Sequence, residues 1–316
     1  MNQKHIIKLL AKNNIKVKNV IKLKNDASSR TYYRVPKKNL LIAHMPREKK
    51  ESINKFKSTT RILKKNQIKV PNIIDTDGKN DLLLIEDFGE TKLSKVMNNQ
   101  NKKKYLKLCL NGIIDLQKIR TEKGIKEFNM KKIVTETMLF IDWYLVKDQK
   151  KKITNPKREM FKKRLRKLYS SVKDMSVYGH MDYHVDNIFY FKKSNSIGLI
   201  DYQDIKKTHV AYDVLSILQD VRNPIKKSLE KELIEYFLNK SDCNKDDFIF
   251  GYNFFSIQRN LKIIGIFSRL KHRDGKNNYY KLIPTCFDLI SNNLKEMESM
   301  KCKNFYQWLI KEYEII

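Results

Sequence analysis

The sequence predicts an α+β protein in two parts, a small antiparallel sheet with a helix and then a larger, mainly helical part. Two observations predict this. Up to about residue 91, short runs rich in β-branched and aromatic residues alternate with turn residues. Beyond residue 92, apolar side chains recur at the three- and four-residue spacing of amphipathic helices. We therefore expect one domain at residues 1–91 and a second at residues 92–316.

The elements follow from these patterns in order. In the first part, a helix is predicted at 6–14, strands at 17–23, 31–35 and 39–44, a helix at 52–65, and a strand at 81–85. In the second part, helical spacing covers most of 92–174 and resumes after residue 213. Between these helical stretches, residues 188–191 and 197–200 read as two short strands joined by a polar turn.

The chain is strongly basic, with 66 Lys and Arg against 35 Asp and Glu among 316 residues and a net charge of +31. Of the basic residues, 54 are Lys and only 12 are Arg, in a chain also rich in Asn and Ile. This combination is typical of a coding bias, whereas nucleic-acid surfaces favour the bidentate fork of Arg. We therefore expect no nucleic-acid partner, and the lysines to lie on the surface.

The composition also bears on location. Apolar residues make up 41% of the chain, enough for a substantial core, but no apolar run approaches the roughly 20 residues that span a bilayer. The first 18 residues lack the pattern of a signal peptide. The four cysteines are too widely spaced for a metal-binding pair and fit a reduced compartment. We expect a cytoplasmic protein without a membrane partner.

The most specific pattern lies between residues 178 and 204. Asp182 precedes Asn187 by five residues, and Asp201 follows Asn187 by fourteen, at the end of a predicted strand. In kinase chemistry one Asp accepts the proton of the attacking hydroxyl, while an Asn and another Asp hold Mg²⁺, which prefers oxygen ligands. We interpret Asp182 as the base, Asn187 and Asp201 as metal ligands, and His180 as a brace for the loop. The alternative is that these residues form ordinary turns.

Three segments resemble the aminoglycoside phosphotransferase and choline kinase superfamily: His-x-Asp-x-x-x-x-Asn at 180–187, Ile-Asp-Tyr-Gln-Asp at 200–204 and Ala-Tyr-Asp-Val at 211–214. Segments 26–34, 83–89, 139–144 and 258–276 narrow the resemblance to bacterial anomeric kinases of N-acetylmuramate and N-acetylglucosamine in cell-wall recycling. The resemblance implies a two-lobed protein-kinase-like fold, with a small N-terminal lobe for the nucleotide and a larger helical lobe for catalysis and substrate. It also implies ATP, Mg²⁺ and an amino sugar as ligands, with the sugar 1-phosphate passed to a uridylyltransferase.

The nucleotide side is assigned to the first part. Between two predicted strands, Ser28 and Ser29 offer backbone N–H groups to phosphate, and Arg30 or Arg34 adds positive charge. An ordinary hairpin turn is the alternative.

Glu86 and Asp87 follow the strand predicted at 81–85. They resemble the hinge of the superfamily, whose backbone groups hold the adenine. The strand lysine that usually grips the phosphates in this superfamily is not evident at 40–45, so its role and that of its paired helical glutamate stay unassigned.

The substrate side is assigned to the second part. Asp142, Trp143 and Tyr144 combine a carboxylate with two aromatic rings suited to a sugar, although aromatic residues of a helix core would look the same. His184 is also assigned to the substrate.

Arg259 lies on a helix whose buried face carries Phe254, Ile257, Leu261, Ile264 and Phe267. It is interpreted as binding a substrate carboxylate or positioning the loop of Asp182. Arg273 is interpreted as capping the end of this helix at Gly275. Asp213 is expected at a helix N-cap, supporting the catalytic loop.

The predicted activity is transfer of phosphate from ATP to the anomeric hydroxyl of N-acetylmuramate or N-acetylglucosamine. Two alternatives stay open at this point: another small-molecule kinase, acting on an aminoglycoside, choline or homoserine, and a basic nucleic-acid-binding protein with relic kinase motifs.

Overall fold

The computed structural model describes residues 3–23, 30–47, 52–120, 125–296 and 299–315. Its contacts divide the chain into two compact units. The first comprises Met1–Leu116 and Asp182–Ile205, and the second Gln117–Met181 and Lys206–Ile316.

The elements run in the following order. The strands are β1 Ile21–Lys22, β2 Thr31–Val35, β3 Leu40–His44, β4 Ile73–Asp77, β5 Leu82–Glu86, β6 Ser176–Gly179, β7 Ile188–Phe191, β8 Ser196–Leu199 and β9 Lys206–His209. The helices are α1 Gln3–Lys12, α2 Ile53–Lys65, α3 Leu93–Val96, α4 Lys102–Gln117, α5 Met130–Leu139, α6 Asn155–Tyr169, α7 Ala211–Leu218, α8 Lys227–Leu238, α9 Lys245–Asp274, α10 Ile283–Glu296 and α11 Met300–Glu312. A π-helix, Phe140–Asp148, continues directly from α5.

This α+β organisation, an antiparallel N-terminal sheet and a mostly helical remainder, is the predicted fold class. The division into units differs from the expected boundary at residue 91, because α3 packs on β7 and Lys92 forms a β-bridge with Phe189. These contacts associate the β7–β8 hairpin with the N-terminal part of the chain.

The first unit contains a five-stranded antiparallel sheet in the order β1-β2-β3-β5-β4. The strand expected at 17–23 forms only over its last residues, as β1. β4 was not predicted, because its sequence Ile-Ile-Asp-Thr-Asp contains only two apolar residues. One face of the sheet is buried against α1, whose Ile6, Leu9 and Leu10 pack with Ile42 and Leu84.

The second unit is mainly helical around α9, a helix of 30 residues. The five apolar side chains predicted to form its buried face are all buried. The helix ends as expected at Gly275, whose left-handed backbone (φ 66°) closes the last turn. A two-stranded sheet of β6 and β9, which was not predicted, pairs residues about 30 positions apart.

The π-helix packs against α9 at Gly265. A Cβ atom at this position would overlap the backbone of Leu139 and Phe140. The absence of a side chain therefore allows the two helical backbones to approach closely where the π-helix begins. None of the helices in the described ranges combines the length and the apolar character that crossing a bilayer requires.

We expect Gly265→Ala to destabilise the protein by about 2 kcal/mol, because the added methyl group overpacks a rigid backbone contact. Helix propensity alone favours Ala over Gly by about 1 kcal/mol, so the two effects have opposite signs. Gly78→Ala is the control, because nothing lies near a Cβ atom at Gly78. Denaturant unfolding measures both, and equal or greater stability of Gly265→Ala would contradict the close backbone approach.

His209 predicts a pH dependence of the second unit. The side chain is buried, its Nδ1 accepts the N–H of Ala211 at 3.1 Å, and burial lowers its pKa to about 4. The unfolded chain binds this proton near pH 6.5 and the folded chain only near pH 4. Stability is therefore lost as the pH falls from about 6.5 to about 4, by up to roughly 3 kcal/mol.

His209→Gln should flatten this part of the curve of unfolding free energy against pH. Parallel curves for wild type and His209→Gln would show that His209 does not titrate in this way.

Candidate active site

The β7–β8 hairpin brings Asn187 and Asp201 together, although fourteen residues separate them. Asn187 directly precedes β7, and β7 pairs with β8 so that Ile188 lies opposite Leu199. The hydrogen bond from Ile200 N to Asn187 O, 3.0 Å, extends this pairing by one step. The two polar side chains therefore leave the hairpin at the same end.

Asp182 lies in the loop before this hairpin and is held by two neighbours. The amide nitrogen of Asn187 donates to the backbone oxygen of Asp182 at 3.0 Å and to its Oδ2 at 3.1 Å. The Nε2 atom of His184 lies 3.3 Å from the same Oδ2. Because Nδ1 of His184 accepts the N–H of Asp186, Nε2 carries the ring proton and can donate to Asp182. The carboxylate itself is exposed.

Asp201 stands in a left-handed backbone conformation, φ 60°, just before a short 3₁₀ turn. Asp tolerates this region better than most residues, and such conformations concentrate at functional sites. Tyr202 anchors the turn: its hydroxyl lies 2.8 Å from Oγ1 of Thr60, and its ring packs on Phe56, both on α2. Nε2 of Gln203 donates to Oδ1 of Asp201 at 3.0 Å.

A cavity of about 390 Å³ lies in the first unit beside these residues. Its lining includes apolar side chains from β2, β3, β5 and the hairpin, among them Tyr32, Leu41, Ile85 and Phe189. Its polar lining includes Asn187, Asp201, Glu86, Asp87, Arg30 and Arg34. All six are candidate site residues, and the fold brings them around one space of suitable size for a small-molecule ligand.

The residues of the predicted hinge are tied to the protein through their side chains. Glu86 accepts hydrogen bonds from the backbone and side-chain nitrogens of Asn72 at 3.1 and 2.6 Å. Asp87 accepts Nε of Arg34 at 2.5 Å, and Arg34 also reaches Gly89 O at 3.2 Å and pairs with Glu90. The hydrogen bonds from Lys95 and Arg34 lower the pKa of Glu90 to about 2. Arg34 therefore belongs to an ion-pair group with Asp87 and Glu90 at the predicted hinge.

The predicted phosphate segment is only partly described. Ser28 and Ser29 lie outside the described residues. Arg30, directly after them, is buried and forms an ion pair with Asp201. The missing strand lysine remains missing in the structure, since β3 carries none.

His180 and Asp213 meet in the second unit. Asp213 accepts the backbone N–H groups of His180 at 2.5 Å and Met181 at 3.1 Å, the two residues before Asp182. Burial raises the pKa of Asp213, while the nearby charges of His180 and Arg259 oppose that shift. The prediction that Asp213 is the N-cap of a helix is wrong. α7 begins two residues earlier, and Val210 is its N-cap.

The predicted sugar-binding triplet lies in the π-helix. Asp142 forms an ion pair with Arg158. Tyr144 stacks on Phe140, with ring centroids 5.3 Å apart, and also packs against Phe287. Tyr144 is therefore packed as an aromatic residue of a helix core would be. Trp143 is half-buried and has no such ring contact among the described residues.

Arg259 lies in the middle of α9 and is only 6% exposed. Within the described part of the chain its guanidinium pairs with no carboxylate, although its charge acts on Asp213, Tyr252 and Cys286. A buried cation without a paired anion is costly unless a ligand or solvent compensates it.

The sequence interpretation missed three contributors: Gln203, which holds Asp201; Phe189, which lines the cavity; and the ion pair between Lys55 of α2 and Asp204. Gln203 and Asp204 could have been found from the sequence, because they belong to the same motif as Asp201. No local pattern marked Lys55, which is 149 residues from its partner.

The donor set at the hairpin end fits a magnesium ion. Asn187 offers an amide oxygen, since its amide nitrogen is used by Asp182, and Asp201 offers a carboxylate. Mg²⁺ takes oxygen ligands and usually one or two protein carboxylates or amides together with phosphate and water. The two residues meet this requirement.

Phosphoryl transfer in kinases uses an Asp in a loop together with an Asn and a further Asp, and the loop of Asp182 and the hairpin end with Asn187 and Asp201 carry these residue types. The chain belongs to the phosphotransferase enzyme family (APH), whose model matches residues 19–245. The superfamily predicted from the motifs is thereby confirmed, and the protein is a phosphotransferase.

Relatives that carry the name N-acetylmuramate/N-acetylglucosamine kinase include two bacterial proteins that align with most of the chain. The one from Pseudomonas aeruginosa is 26% identical over 278 residues, 85% of this chain and 81% of the relative. The one from Neisseria meningitidis is 26% identical over 231 residues, 69% of each.

Solved structures share the fold at lower identity. An AMP-bound spectinomycin phosphotransferase has a TM-score of 0.68 at 13% identity, covering 95% of this chain and all of the other. The choline kinase LicA from Streptococcus pneumoniae has a TM-score of 0.64 at 12% identity, covering 92% and 98%. The protein-kinase-like fold is therefore confirmed.

We expect Asp213→Asn to lower phosphotransfer turnover at least tenfold, because the amide can accept from only one side and leaves one buried N–H unpaired. Nucleotide affinity should stay unchanged, since the cavity is lined by residues of the first unit. Asp174→Asn is the control, because Asp174 also accepts a backbone N–H, that of Ser176 at 3.2 Å, but at the start of β6 rather than next to the loop of Asp182. Unchanged turnover of Asp213→Asn would remove the positioning role of Asp213.

Proposed function

We propose that this phosphotransferase moves the γ-phosphoryl group of ATP to the anomeric hydroxyl of N-acetylmuramate or N-acetylglucosamine, giving the sugar 1-phosphate. The carrying observation is the placement of Asp182, Asn187 and Asp201 in one loop and hairpin end. The names of relatives that align with most of the chain support the amino sugar as acceptor.

ATP occupies the cavity of the first unit in this proposal. Its adenine lies against backbone groups at Glu86 and Asp87, and its phosphates lie toward Asn187 and Asp201. The apolar lining from Tyr32, Leu41 and Phe189 suits a planar base. The side chains of Glu86 and Asp87 are engaged with Asn72 and Arg34, which favours recognition through the backbone.

Asn187 and Asp201 would hold Mg²⁺, which when bound neutralises charge on the phosphates. The hairpin keeps the two side chains at a fixed spacing before any ligand arrives, so their positioning costs little on binding.

Asp182 is the proposed base. The anomeric oxygen forms a bond to the γ-phosphorus, the bond to the bridging oxygen of ADP breaks, and the hydroxyl proton passes to Asp182. An anomeric hydroxyl is more acidic than an ordinary alcohol, so positioning supplies most of the rate. His184 and Asn187 orient the carboxylate, and His184, a proposed substrate contact, acts through this hydrogen bond.

The acceptor is assigned to Arg259, Asp142 and Trp143. A lactyl carboxylate would compensate the buried charge of Arg259, which favours N-acetylmuramate over the neutral N-acetylglucosamine. The carboxylate of Asp142 suits sugar hydroxyls, and Trp143 suits the face of the ring. His180 and Asp213 support the loop.

We place this reaction in the cytoplasm, in peptidoglycan recycling, with a uridylyltransferase consuming the product. The four cysteines are free thiols, which suits a reduced compartment.

A substrate panel tests the proposal. With purified protein, ATP and Mg²⁺, N-acetylmuramate and N-acetylglucosamine should be phosphorylated, whereas methyl N-acetylglucosaminide, whose anomeric oxygen is blocked, should not. Phosphorus–proton coupling to the anomeric proton identifies the product. Kanamycin, choline and homoserine complete the panel, and activity confined to one of these would reject the amino-sugar assignment.

Asp182→Asn should reduce turnover by at least roughly 10²-fold, because an amide cannot accept the proton. ATP affinity should change little. Asp186→Asn makes the same change four residues further on, in a side chain outside the proposed machinery, and should retain activity. Near-normal turnover of Asp182→Asn would rule out Asp182 as the base.

A further inference from the structure

The cavity side of the sheet contains no lysine on β3. Directly opposed residues of antiparallel strands share a face, and Tyr32 and Arg34, which line the cavity, lie opposite Ala43 and Leu41. The two β3 positions facing the cavity are therefore occupied by Ala43 and Leu41. Neither can contact a phosphate through a charge.

The helix expected to supply the glutamate partner of such a lysine is α2. α2 contains no acidic residue within Ile53–Lys65. It presents Lys55 instead, which pairs with Asp204 three residues after Asp201. Within the described residues of β3 and α2, neither member of the usual ion pair is present.

Arg30 lies at the cavity and can supply the positive charge that β3 lacks. It directly precedes β2 and alternates with Tyr32 and Arg34, so all three line the cavity. The side chain is only 9% exposed, and its Nη1 pairs with Oδ1 of Asp201. A guanidinium has five N–H donors in a planar fork, so one Arg side chain can serve a carboxylate and phosphate oxygens at the same time.

The other cations lining the cavity contact lining groups other than Asp201. Arg34 donates to Asp87 and Gly89 at the hinge. Lys95 pairs with Glu90 at 2.5 Å, and Lys92 lies 5.8 Å from the ring centroid of Phe189. Arg30 is the lining cation that contacts the proposed metal ligand.

We propose that Arg30 binds the nucleotide phosphates in place of the missing strand lysine, and that Arg34 serves the hinge. The proposal rests on the nucleotide site of the proposed function and adds the group that grips the phosphates. The proposed phosphate-binding cation therefore lies just before β2 rather than on the neighbouring strand β3, and on the same face of the sheet.

Calorimetric titration with ADP and with adenosine, both without metal, tests this assignment. Arg30→Met should weaken ADP binding roughly 10- to 100-fold, because a charge-assisted hydrogen bond is lost. Adenosine carries no phosphate, so its affinity should stay within about twofold. A merely structural role would weaken both ligands alike. Equal weakening, or unchanged ADP affinity, would overturn the proposal.

Two further variants separate charge from folding. Arg30→Lys should keep ADP affinity within about fivefold of wild type, since a point charge still attracts phosphate. A loss as large as that of Arg30→Met would overturn the proposal. Arg47→Met is the control for the substitution itself, because Arg47 is exposed and pairs with Asp81 away from the cavity. It should bind both ligands as wild type does.

The assay distinguishes this proposal from the function it rests on. Nucleotide binding needs no sugar. If the protein binds ADP but phosphorylates neither amino sugar, the proposed acceptor is refuted. The role of Arg30 is then still tested by the ADP titration of Arg30→Met. Conversely, amino-sugar kinase activity together with unchanged ADP affinity in Arg30→Met refutes Arg30 alone.

Discussion

The antiparallel pairing of β7 with β8 is the constraint on which the site depends. It brings Asn187 and Asp201 to one end of a hairpin through pairing of two strands that are close in sequence, because the turn between them is short. The contacts of Asp201 and Tyr202 then link this end to Arg30 before β2 and to Thr60 of α2. A local interaction thus positions the reactive oxygens, and a few longer contacts fix them in the first unit.

Much of this could be predicted from sequence because the signals were local. The hairpin, β2, β3 and α2 each carry a clear period, and Asp182, Asn187 and Asp201 have a spacing that a turn-only interpretation does not require. β6 and β9 could not be predicted, because their stability comes from pairing with each other across about 30 residues. The close approach of Gly265 to the backbone at Leu139 and Phe140, where the π-helix begins, is likewise a long-range contact that no local pattern encodes.

The roles of the two cavity arginines show a second limit. Arg30 and Arg34 are four residues apart and share a face, so the sequence could assign either to phosphate. Only their partners distinguish them: Asp201 for one, and Asp87 with Glu90 for the other. The large positive charge, carried mainly by lysine, has little to do with this. The informative cations are the few arginines placed in buried positions, Arg30 and Arg259.

The most direct test of the account is a crystal structure with ADP and Mn²⁺, in which anomalous scattering locates the metal. The account predicts a metal peak within bonding distance of the Asn187 amide oxygen and the Asp201 carboxylate, with the ADP phosphates beside Arg30 and the adenine at Glu86 and Asp87. A metal bound away from Asn187 and Asp201, or a nucleotide outside this cavity, would contradict it.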